Sequence, residues 1–194
     1  MNFAATFDFA MSSLFQSTAD ILSLVPSIRR GETPTISRCI SLIENEQPGY
    51  LDLLQSLPGD NHANKTIGIT GPPGAGKSTM IDRMLSLMVD ERNKKIAVLC
   101  VDPSSPFHHG ALLGDRIRMS RWFNDGRVYI RSLASRGNVG GLSPTVIEIT
   151  DLLKAADFDY IMIETVGVGQ TEVEIAGIAD ATTVVLTPGS GDDI

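Results

Sequence analysis

The sequence predicts an α/β fold, a mostly parallel sheet with helices on both faces, preceded by a short helical segment. Three observations carry this. Short apolar runs rich in β-branched residues alternate with helical stretches after about residue 60, the pattern of strand–helix–strand units. One of the runs, Lys95 to Val101 (KIAVLCV), is continuously apolar, as a strand buried on both faces must be. Lastly, the stretch KTIGITGPPGAGKSTM, Lys65 to Met80, sets a strand, a glycine-rich turn and a helix in direct succession.

That stretch defines the class. Gly71, Gly76, Lys77 and Ser78 fit GxxxxGK[ST], the phosphate-binding loop, and make the predicted fold a P-loop NTPase. An oligophosphate must be wrapped closely by backbone N–H groups, which side chains would obstruct; hence Gly71, Gly74 and Gly76. The loop Gly71, Pro72, Pro73, Gly74, Ala75, Gly76, Lys77, Ser78 and Thr79 therefore forms the expected nucleotide cradle. The helix starting there adds unsatisfied amides and the positive end of its dipole. Lys77 is expected to reach the β- and γ-phosphates, and the Ser78 hydroxyl to bind Mg²⁺.

Length and composition limit the rest. The 194 residues suffice for one α/β domain and an appendage. A net charge of −7 opposes a general nucleic-acid or anionic-membrane surface, both of which need an excess of Lys and Arg. No apolar run approaches the roughly 20 residues that span a bilayer. Asp8 and Asp20 interrupt the apolar start, and no Lys or Arg precedes Arg29, unlike a secretory or transit peptide. The two cysteines, Cys39 and Cys100, are unpatterned and suit reduced, buried thiols. A cytoplasmic protein is expected.

In chain order, residues 1–60 form a helical N-terminal segment and 61–194 the P-loop domain. Phe3, Phe7, Met11, Leu14 and Phe15, then Ile21, Leu22 and Val25, recur at helical spacing up to Pro26. A second helix starts at GETPTIS with Thr33 or Thr35 as cap and ends by Pro48; a third runs from Tyr50 to Leu57. GDNHANK marks the boundary. The segment is either a docking arm or a cap over one end of the sheet. Beyond the loop, strands are expected at Tyr129–Leu133, Tyr160–Glu164 and Thr182–Thr187, with helices over SPTVIEITDLLKAAD and from Thr171.

In such sheets the ligand lies beyond the carboxyl ends of the strands. Asp102 and Glu164 end two of them, so one or both are expected to hold Mg²⁺ or its waters. Asp115 lies in the intervening loop, which would make residues 103–119 a switch ordered by triphosphate. Arg116 and Arg118 suit phosphate charge or a plain surface, and His108 and His109 are loop residues. Glu164, Thr165, Val166 and Gly167 imitate a DxxG switch with Glu for Asp. The Gly167 amide then contacts the γ-phosphate, and Gln170 orients the attacking water. The catalytic candidates are accordingly Lys77, Asp115, Glu164 and Gln170.

With these residues named, the chain resembles the MeaB/ArgK-type GTPases that accompany adenosylcobalamin-dependent methylmalonyl-CoA mutase. The resemblance rests on GPPGAGKST (71–79), VDPSSPF (101–107), GALLGDRIRM (110–119), IRSLASRG (130–137), ETVGVGQTE (164–172) and PGSGDD (188–193). It implies a GTP-hydrolysing chaperone that couples hydrolysis to cofactor loading or protection of the mutase, as a homodimer. By that likeness Ser78, Asp102, Asp115 and Glu164 form the magnesium environment, and Arg118 approaches the nucleotide. Two departures stand out: His108 and His109 replace small and polar residues, and the family continues past the position of Ile194 to an NKxD guanine-selecting motif and a dimerisation extension. The sequence is therefore expected to be a domain incomplete at its C-terminus. Two other functions fit the residues alone: a small-molecule kinase with Asp102 as base, and a partner-binding module without catalysis.

Overall fold

The computed structural model describes residues 18–57, 64–102, 119–134, 143–165 and 170–189. They divide into two compact units, one drawn from the chain up to Asn61 with Glu148–Asp157, the other from His62–Ile147 with Phe158–Ile194. No feature of the sequence marks Glu148–Asp157 for the first unit.

Among the described residues up to Leu57, the first unit holds four short helices: α1 (Thr18–Leu22), α2 (Val25–Arg29), α3 (Thr33–Glu44) and α4 (Tyr50–Ser56). Helix α3 buries Ile36, Cys39, Ile40 and Ile43, a single stripe at 3.6-residue spacing. Burial pushes the Cys39 thiol up to about 12, which leaves it unreactive at neutral pH. Two expectations are corrected here. Pro26 does not end a helix but lies in the first turn of α2, where its missing N–H costs nothing. Glu32, and neither Thr33 nor Thr35, occupies the cap position of α3, because Thr33 is already helical and Pro34 is held in the first turn. The predicted apolar stripe at Phe3–Phe15 lies outside the described residues.

The second unit is a parallel sheet of five strands in the order β3-β2-β4-β1-β5. They are β1 (Lys65–Thr70), β2 (Ile96–Asp102), β3 (Val128–Ala134), β4 (Tyr160–Thr165) and β5 (Ala181–Val184). Helix α5 (Lys77–Leu85) continues into a π-helical turn, Ser86–Glu91. Helix α6 (Pro144–Lys154), whose residues from Glu148 on belong to the first unit, precedes β4, and α7 (Gln170–Ile178) precedes β5. The side chains that alternate along the strands divide the two faces. Ile69, Val98, Cys100 and Met162 pack with Ile81 and Leu85 of α5 and Val89 of the π turn. On the other face a Cβ added at Gly68 would press on Ile175 of α7, so glycine there lets α7 approach the sheet.

Two polar clasps hold the rim of this unit. Arg121 donates Nε and Nη2 to the Asp82 carboxylate, each at 2.9 Å, and Trp122 Nε1 donates to Asp82 Oδ1 at 2.9 Å. The Arg121 guanidinium also lies 4.6 Å from the Trp122 ring centre, a cation–π contact. Arg127 donates to both oxygens of Asp125 and to the Val89 carbonyl that ends the π turn. No helix among the described residues is long and apolar enough to cross a membrane.

Candidate nucleotide-binding site

The glycine-rich loop joins β1 to α5 in a shape that L side chains rarely adopt. Gly71, Gly74 and Gly76 have φ of 135°, 79° and 95°. Gly71 is doubly constrained, since a Cβ there would run into the Val185 carbonyl of the chain leaving β5. Pro73 and Gly74 stand exposed at the crest, whereas Lys77 and Ser78 are buried at its base.

Lys77 is only 4% exposed. Its ammonium donates to the carbonyls of Gly71 at 2.9 Å and Pro72 at 3.0 Å, and no carboxylate among the described residues pairs with it. A buried cation without a counter-ion is costly unless an anion joins it. The base of the loop is therefore built to receive negative charge, at the positive end of the α5 dipole.

Ser78, in the first turn of α5, donates its hydroxyl to Glu164 Oε1 at 2.8 Å. Glu164 reaches it because β4 lies between β1 and β2, and its carboxylate is 3% exposed. Its second oxygen, Oε2, is 3.9 Å from Cys100 Sγ, which stands opposite it on β2. Two buried oxygen donors side by side suit a hard cation such as Mg²⁺, so Ser78 and Glu164 fit the ion that a nucleoside triphosphate brings.

The other candidates are placed as follows. Asp102 ends β2, two residues beyond Cys100, and Gln170 opens α7. Thr79 is exposed on α5. Asp115, Arg116, Arg118, Gly167, His108 and His109 lie outside the described residues. Sequence reasoning missed Cys100 as a neighbour of Glu164, because only the strand order puts β2 beside β4. It also missed the hydroxyls of Thr70 and Thr165, which are buried with no hydrogen-bond partner among the described residues.

Residues 36–194 match the family described as methylmalonyl-CoA mutase-associated GTPase MeaB. A Pyrococcus horikoshii protein provisionally named a GTPase is 43% identical over 174 residues, covering 88% of this chain and 54% of the relative. The Escherichia coli GTPase ArgK is 36% identical over 183 residues, 91% of this chain and 54% of ArgK. Among solved structures, a LAO/AO transport system kinase superposes with a TM-score of 0.69 at 27% identity, covering 88% of this chain and 51% of that one. The chain thus spans about half the length of the relatives it matches.

Proposed function

The chain belongs to the MeaB family of methylmalonyl-CoA mutase-associated GTPases, and from that premise we propose that it binds and hydrolyses GTP with Mg²⁺ as a switch for an adenosylcobalamin-dependent acyl-CoA mutase. The observation that carries the reading is Lys77, buried at the base of the glycine loop with no carboxylate among the described residues paired to it. In this reading the loop amides wrap the β- and γ-phosphates, and the Lys77 ammonium exchanges the Gly71 and Pro72 carbonyls for phosphate oxygens. Ser78 and Glu164 would hold the magnesium ion, with Asp102 and Asp115 completing its surroundings. When bound, the ion neutralises charge that builds on the phosphate oxygens during transfer. Arg118 and the Gly167 amide face the nucleotide, and Gln170 orients the attacking water. A cytoplasmic setting, where both GTP and the mutase are available, belongs to the same reading.

Calorimetric titration of the chain with GTP and Mg²⁺, paired with a phosphate-release assay, tests it. Binding that weakens at least about tenfold in Lys77→Ala is expected, given the strength of charge-assisted hydrogen bonds. Absence of binding in the wild-type chain, or transfer of phosphate to an added acceptor instead of water, would overturn the assignment. Association with the mutase is read separately, by co-sedimentation with GTP and with GDP.

A further inference from the structure

Thr70 and Thr165 end β1 and β4, two neighbouring interior strands of the sheet. Thr70 directly precedes the phosphate loop, and Thr165 directly follows Glu164. Both are buried, 0% and 1% exposed, yet neither hydroxyl has a hydrogen-bond partner among the described residues. Buried polar side chains are nearly always paired, and an orphan carries the full cost of its lost hydration. Valine would fill the same space in a strand without that cost. A purely structural role therefore does not account for threonine at both positions.

The two residues are neighbours. Strands β1 and β4 pair in parallel through Ile69 and Glu164, and one further step along that register sets Thr70 beside Thr165. Successive side chains point to opposite faces, so the pair lies on the face away from Glu164. Gly68, two residues before Thr70, marks that face as the one under α7. The chain between Thr165 and α7 carries the DxxG-like residues of the proposed switch.

We propose that Thr70 and Thr165 are positioning residues of the nucleotide site. Their hydroxyls stay unpaired in the free protein and gain a partner, an amide or carbonyl of the phosphate loop or an ordered water, when the triphosphate is bound. The orphan cost is then borne by the free state alone, and its relief adds to nucleotide affinity. The inference rests on the nucleotide-binding reading above and adds to it a pair of residues on the side opposite the magnesium donors.

Thr70→Val and Thr165→Val separate this from a fold role. The two measurements are the melting temperature of the free chain and its affinity for Mg²⁺ with the non-hydrolysable analogue guanosine 5′-(β,γ-imido)triphosphate. The expected result is an unchanged or higher melting temperature without nucleotide and an affinity lower by about three- to tenfold, the worth of one hydrogen bond. Thr165→Ser, which keeps the hydroxyl, should retain wild-type affinity. A lower melting temperature in the free valine variants would mean that the hydroxyls are already paired there and would overturn the proposal. So would unchanged affinity in those variants, or an affinity lost equally in Thr165→Ser. If the wild-type chain itself fails to bind the analogue, the nucleotide reading falls, and this inference with it; a wild-type chain that binds beside unaffected valine variants overturns this inference alone.

Discussion

Ser78 and Glu164 are 86 residues apart in the chain and 2.8 Å apart in space. The contact joins the first turn of α5 to the end of β4, with the buried hydroxyl as donor and the buried carboxylate as acceptor. Ser78→Ala and Glu164→Gln should each weaken the affinity for Mg²⁺ in the nucleotide complex by about 10- to 100-fold, the range for residues in and around metal sites. Glu164→Gln keeps an acceptor for the Ser78 hydroxyl, so its melting temperature in the absence of metal should stay close to wild type. Magnesium titration at fixed GTP checks the first, and thermal denaturation the second.

Gly71→Ala tests the loop's backbone. The new methyl would meet the Val185 carbonyl at a φ that alanine disfavours. A loss of about 2–5 kcal/mol is expected from strain and overpacking together. Chemical denaturation should show it without nucleotide, whereas Lys77→Ala should leave the free chain's stability almost unchanged.

The Asp82–Arg121–Trp122 clasp provides a stability test with an optical signal. Asp82→Ala removes the acceptor of both the guanidinium and the indole N–H. The Arg121 side chain is 48% exposed, so screening limits the cost to about 1 kcal/mol, or roughly 2–4 °C in melting temperature. Trp122 is the chain's single tryptophan, and its emission should shift to the red as the ring gains water.

Two carboxyls give pH dependences of opposite sign. The Arg127 side chain and backbone N–H hold Asp125 down to about 2. Its folded value is depressed, so its contribution is present above the unfolded value near 3.8 and is lost as the pH falls through about 2. Asp125→Asn should therefore lower the melting temperature at pH 7 and flatten the acid limb between those values. Glu148 is pushed up instead, chiefly by burial and then by Glu46 and Asp151. A raised acid favours the folded state at low pH and loses that contribution as the pH rises through its folded value. Glu148→Gln should then raise the melting temperature slightly at pH 7 and have little effect at pH 4. Melting curves of both variants across pH check these signs.

The strands and the loop were legible because each rests on a local rule. Apolar β-branched runs mark β1, β2 and β4, and GPPGAGKST has a backbone requirement that few other functions impose. Strand order is not local. Nothing in KIAVLCV says that β2 pairs with β4 instead of β1, so the approach of Cys100 to Glu164 could not be read from the chain. Terminal details escaped for a similar reason: Glu32 displaced the threonines as the cap of α3, and no local signal marks the π turn at Ser86–Glu91, whose Val89 carbonyl accepts from Arg127 of a distant segment. The orphan hydroxyls of Thr70 and Thr165 were invisible too, since threonine is an ordinary strand residue until its surroundings are known.

The position of β4 has a consequence for synthesis of the protein. Among the described residues β1 pairs with β4 and β5, and β2 with β3 and β4, but β1 and β2 do not pair with each other. As the nascent chain leaves the ribosome, β1 and its glycine loop emerge first and wait without a neighbour for some ninety residues. Only when Tyr160–Thr165 emerges can both halves of the sheet zip onto one template. A ribosome stalled before that point would hold a loop with its letters intact and no acidic wall behind it.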